Sequence, residues 1–136
     1  MRPIEFRLLL DGKIIGYEIA EFEELPTCYL HWRYYTTSNE EVGFLVHDTK
    51  EQFIGLKDKN EKKIYAKDVV ALPDGFRYVV EWDATLGTWR FKGIGTNDYG
   101  TATTDLLYKD IVRDCLDDIE VIGDIHTNPE LLKETS

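Results

Sequence analysis

The densest set of potential ligands in the chain is Asp117, Asp118, Glu120, Asp124 and His126. A hard cation needs several oxygens, and a transition metal would accept His126. In an extended strand, however, Glu120, Asp124 and His126 share one face while Val121 and Ile125 take the other. That is ordinary polar-out, apolar-in alternation. These residues therefore read first as the solvated face of a strand, and no metal is assigned.

Gly93-Ile94-Gly95, continuing to Gly100, has the composition of a phosphate loop. A phosphate cradle needs its glycines to open directly onto a helix, usually with a lysine or the helix N-terminus behind them. No Lys-Ser/Thr follows here, and Asp98 would repel phosphate, so a surface loop is the better reading. His31, His47 and His126 are scattered, and no Ser/His/Asp or Cys/His spacing stands out. No catalytic or cofactor-binding residue is assigned.

The most unusual run is Tyr29, His31, Trp32, Arg33, Tyr34 and Tyr35. Aromatic residues interleaved with basic ones can stack single-stranded bases. Trp, Tyr and Arg also dominate protein-binding hot spots. A core strand using both of its faces comes first among the readings, a protein-binding face second and nucleic acid last. Trp32, Arg33, Tyr34 and Tyr35 are the candidate binding surface.

The elements that must position these residues belong to a chain of 136 residues, the size of one ordinary domain. Apolar residues make up 43% of it, spread along its length, which is enough for a packed core. The net charge of -10 lacks the basic footprint of a nucleic-acid binder. DNA or RNA would approach against an unfavourable field. The two cysteines, Cys28 and Cys115, are far apart and read as buried reduced thiols. No apolar stretch reaches the roughly 20 residues of a membrane span, and no signal peptide is visible. The expected location is the cytoplasm.

The pattern predicts strands over Ile4 to Leu10 and Ile14 to Glu21, joined by the Asp11-Gly12 turn. Leu25-Pro26-Thr27 breaks the pattern before the aromatic strand Cys28 to Tyr35. Thr36 to Glu41 reads as a polar turn, Val42 to His47 as a short strand, and Phe53 to Leu56 as a brief apolar element. After a charged turn over Lys57 to Glu61, Ile64 to Leu72 reads as a strand with a bend at Ala66 to Asp68. Pro73-Asp74-Gly75 is a turn, since Pro presets φ and Gly accepts positive φ. Phe76 to Trp82 and Thr88 to Ile94 form a hairpin across Asp83 to Gly87. Gly93 to Thr104 reads as a loop. Thr104 to Cys115 has helical spacing, with Thr104 as its N-cap. Ile119 to Ile125 is a last strand, and Asn128-Pro129-Glu130 starts a short helix. Many short strands with Gly/Pro turns predict a mainly β chain, a twisted antiparallel sheet rolled into a small barrel with one or two short helices. One domain is the simplest account, divisible into an N-terminal hairpin part over 1–50 and a barrel-like part over 51–136.

Three stretches carry a resemblance. They are Arg2 to Arg7, Phe53 to Val70 and Ile119 to Leu132. Their order and spacing resemble the YopX family, found mostly in phages and prophages of Gram-positive bacteria. The resemblance implies a cytoplasmic phage or prophage protein with an SH3-like β roll. It implies no activity, because the family's function is not known. Two turns depart from the family pattern: Glu61 stands where the family usually has Gly, and Ala66-Lys67 where it has Glu-Gly. The aromatic run around Cys28 to Tyr35 matches no family motif. The expected function is that of an accessory protein acting by self-association or by binding a host or phage protein. A nucleic-acid-binding small barrel, or an acidic DNA mimic, is the alternative.

Overall fold

The computed structural model describes residues 4–23, 29–73, 75–94, 96–97, 100–101 and 105–132. The chain forms two compact units, Met1–Phe53 and Ile54–Ser136, and is built mainly from antiparallel strands. Leu25-Pro26-Thr27, Cys28 and the expected Thr104 cap fall outside the described residues.

In the first unit, β1 (Ile4–Leu10) and β2 (Lys13–Glu23) form the expected hairpin. Asp11 and Gly12 take φ of 51° and 77°, the left-handed pair that a two-residue turn between twisted strands requires. β3 (Tyr29–Thr36) pairs with β2 along eight residues, and β4 (Glu41–Val42) pairs with its end. The predicted strand from Val42 to His47 therefore stops at Val42. β5 (Thr49–Lys57) begins four residues before the apolar stretch that announced it. Its polar start is extended because Thr49 to Gln52 pair with β1. The order in this unit is β4-β3-β2-β1-β5.

The second half of β5 belongs to the second unit, beside β6 (Lys63–Tyr65). The bend predicted over Ala66 to Asp68 covers Ala66-Lys67, and Asp68 already begins β7 (Asp68–Ala71). β8 (Arg77–Asp83) and β9 (Thr88–Ile94) form the predicted hairpin, and the Asp83 carboxylate accepts the backbone N–H groups of Thr85 and Leu86 in its loop. Within the region expected to be all loop, β10 (Thr96–Asn97) pairs with β11 (Gly100–Thr101). β12 (Leu106–Leu107) lies along β9, so the helix begins later than its apolar spacing suggested. It is α1 (Tyr108–Asp110), continued by a π-helical turn over Ile111–Cys115. The Asp110 carboxylate accepts the Leu107 N–H at 3.0 Å and so closes the helix start. β13 (Glu120–Asp124) pairs with β7, and a 3-10 turn over Pro129–Leu132 follows. The order β12-β9-β8-β7-β13 gives a five-stranded antiparallel sheet, consistent with a small barrel-like roll.

Ile54, Leu56, Ile64, Val70, Val80, Phe91, Ile111 and Ile119 are among the buried residues that form the core of this unit. Fully burying each such side chain contributes about 1.5–3 kcal/mol. Cys115 is partly buried and is not in a disulfide.

Glu61 and Lys67 take φ of 65° and 72°. The family resemblance predicts glycine at these two positions, and here Glu61 and Lys67 take the left-handed conformation without it. A side chain in this conformation costs roughly 1 kcal/mol. Lys67→Gly and Glu61→Gly are each expected to raise stability by about 0.5–1 kcal/mol, read as a higher urea midpoint. A lower midpoint would mean that the side chain contributes more than the backbone strain it imposes.

Candidate functional site

Side chains directly opposite one another on paired strands share a sheet face. Phe6 lies opposite Glu18, Glu18 opposite Tyr34, and Tyr34 opposite Val42. The neighbouring row on that face is Ile4, Ala20 and Trp32. β5 adds Gln52 opposite Phe6 and Lys50 opposite Leu8. Four strands thus place Phe6, Glu18, Trp32, Tyr34 and Lys50 on one surface.

Their contacts are specific. The Lys50 Nζ stands 4.7 Å from the centre of the Phe6 ring and 5.6 Å from that of Trp32. It also lies 3.2 Å from Glu18 Oε1. Glu18 is buried, so its charge is met by an ammonium that two aromatic rings flank. Desolvation first, and then Glu18's hydrogen bond and negative charge, push the Tyr34 hydroxyl above its usual pKa. Phe44, from the loop after β4, meets Tyr34 edge-on with ring centres 5.0 Å apart. Trp32 is 45% exposed and Phe44 60%, and Ile4 and Val46 are exposed as well.

The four residues singled out in the sequence divide between the two faces. Trp32 and Tyr34 line this surface, while Arg33 and Tyr35 point to the opposite side. There Arg33 bridges Glu41 at 3.2 Å, and Tyr35 continues the row of Tyr17, Arg7 and Glu51. Sequence reasoning missed Phe6, Glu18, Phe44 and Lys50. The signal for Phe6 and Glu18 was the Asp11-Gly12 hairpin, but its plain register pairs the wrong residues. β1 and β2 shift register between Leu8 and Leu9, leaving Ile15 as the extra residue of a bulge. An unbulged hairpin would have set Tyr17 opposite Phe6 and turned Glu18 to the other face.

The acidic cluster near the C-terminus does not converge. Glu120 pairs with Lys59 at 3.3 Å. Asp124 is buried, contrary to its expected solvent-facing position, because β13 shifts register between Val121 and Gly123. It accepts the backbone N–H groups of His126 and Thr127 and so closes the turn that follows. Among the described residues no group of three or more His, Cys, Asp or Glu side chains is placed to hold a metal. A second aromatic pair, Trp82 and Trp89, meets edge-on at 5.2 Å on the β8–β9 hairpin. Trp89 packs on the core and Trp82 is exposed.

Two of the three stretches that carried the family resemblance, the second and the third, meet at Asp58. Its Oδ1 accepts the N–H groups of Asn60 and Lys62 at 2.8 and 2.9 Å, and its Oδ2 accepts that of Val121 at 2.9 Å. The Lys59 N–H donates to the Ile119 carbonyl beside it. One carboxylate thus joins the charged turn of the second stretch to the strand of the third. The family model described as YopX protein matches residues 10–133. The chain belongs to the YopX protein family. No curated protein matches it. In this YopX-family chain, the contacts between the second and third stretches are structural ones. No helix among the described residues is long and apolar enough to cross a membrane.

Proposed function

We propose that this YopX-family chain is a cytoplasmic phage or prophage accessory protein that acts by binding another protein through the aromatic face of its N-terminal sheet. The observation that carries this reading is the exposure of Trp32 on the same face as Phe6, Tyr34 and Phe44. A tryptophan in water beside tyrosine and a cation has the composition of a binding hot spot. Contiguous exposed apolar surface on a small protein marks an interaction site more often than chance. Stacked nucleic-acid bases fit this face less well, because a buried carboxylate lies under it and the whole chain carries -10.

Trp32→Ala tests the reading. The residue is half exposed, so the variant is expected to lose about 1 kcal/mol of stability or less. Partner binding is expected to weaken by about 2 kcal/mol or more, roughly 30-fold. The measurement is affinity purification from infected host cells with tagged wild type and variant, followed by titration of the captured partner. Light scattering on the purified chain checks a second copy as the partner. A variant that is folded and still captures and binds every partner with unchanged affinity would overturn the assignment of this face.

A further inference from the structure

Phe6, Trp32 and Glu18 hold an ammonium, and the ammonium is the chain's own. We infer that this cage is the acceptor for a lysine or arginine side chain of a basic protein partner, with Lys50 as its built-in placeholder. The inference rests on the protein-binding reading above and names the chemistry of the partner.

The cage already has the parts that recognise such a cation. Two aromatic faces lie 4.7 and 5.6 Å from the nitrogen. A carboxylate that is itself buried supplies the opposite charge at 3.2 Å. Tyr34 flanks that carboxylate from the neighbouring strand, directly opposite Glu18. Ile4, Trp32 and Phe44 form an exposed apolar rim on which the rest of a partner could rest.

Lys50 is the replaceable member. Its side chain is 46% exposed, whereas that of Glu18 is 5% exposed. A long, half-solvated lysine stem leaves such a pair at little cost. An incoming guanidinium gains more from the same surroundings, because it is more weakly hydrated and stacks on aromatic rings. The net charge of -10 draws a basic partner and disfavours an acidic one.

The test uses Nα-acetyl-lysine N-methylamide and its arginine counterpart as probes. Each is titrated at constant ionic strength into the full chain and into Lys50→Ala. The readout is the Trp32 indole N–H resonance, assigned by its loss in Trp32→Phe. Lys50→Ala should bind saturably and about tenfold tighter than wild type, since the internal competitor is gone. Adding Glu18→Gln to Lys50→Ala should abolish that binding. No saturable shift in folded Lys50→Ala, or equal affinity for wild type and variant, would overturn the inference. If Lys50→Ala does not fold, wild type decides alone. At saturating probe the ring-shifted side-chain protons of Lys50 must return to ordinary lysine values, and protons that stay shifted overturn it. The probes are small molecules, so a negative result here is separable from partner capture that survives or fails in Trp32→Ala.

Discussion

Asp58→Ala is expected to destabilise the protein by about 3–4 kcal/mol, a large share of a small domain's stability. Asp58 is 4% exposed and accepts three backbone N–H groups. Without the carboxylate those donors lose their acceptor, and each buried donor left unmet costs about 1–3 kcal/mol before relaxation. Asp58→Asn keeps one acceptor oxygen but turns an amide NH2 toward a donor, so it recovers only part of the loss. The check is urea unfolding at neutral pH. An unchanged midpoint would show that water or a neighbouring group replaces the carboxylate.

The same residue sets a pH dependence. Burial desolvates Asp58 and pushes its carboxyl up. The bonds from Val121, Lys62 and Asn60, with the Lys62 charge, outweigh this and hold it below the usual carboxylate pKa. A folded-state pKa below the unfolded value gives stability that is fully present above the unfolded value, about 4. That stability is lost as pH falls through the lower, folded value. Wild type should therefore lose stability on acidification below about pH 4, and Asp58→Ala should lose less over the same range.

Arg7→Met is expected to cost about 3–5 kcal/mol. Nε and Nη2 of Arg7 both reach Glu51 Oε1 at 2.8 Å, and both side chains are 5% exposed or less. Removing the guanidinium takes a close counter-charge away from a buried carboxylate. Glu51→Met alone should be similarly damaging for the converse reason. The double variant, with two apolar side chains of similar length, should lie closer to wild type than either single one. Chemical unfolding of the four proteins measures this cycle. Additive single effects would mean that the pair is not coupled and that its burial is incidental.

Asp58, Asp83 and Asp124 also account for part of the chain's acidity. Their carboxylates close turns by accepting backbone N–H groups. In the sequence these residues are indistinguishable from solvated charge, because the donors that need them come from the fold. Asp58 reaches across 63 positions to Val121, a distance no local pattern reports.

Local chemistry determined a good deal by itself. Asp11-Gly12 dictated the first hairpin because two consecutive left-handed residues are favourable only for types such as Gly, Asn and Asp. The alternation of Phe76 to Trp82 and Thr88 to Ile94 specified the β8–β9 hairpin, and the bend at Ala66-Lys67 separated β6 from β7. The family was legible as well, in Phe53 to Val70 and Ile119 to Leu132, the stretches that meet at Asp58. Tertiary structure decided the rest. Thr49 to Gln52 are polar and became strand only because the edge of β1 supplied their hydrogen-bond partners. Leu106-Leu107 joined β9 instead of starting a helix, since an available sheet edge outweighs a weak helical preference. The candidate binding face depended on one extra residue, Ile15. That bulge brought Glu18, and with it Trp32 and Tyr34, to the side of Phe6 and Lys50, and a side-chain period of two makes any such slip exchange the faces of a whole strand.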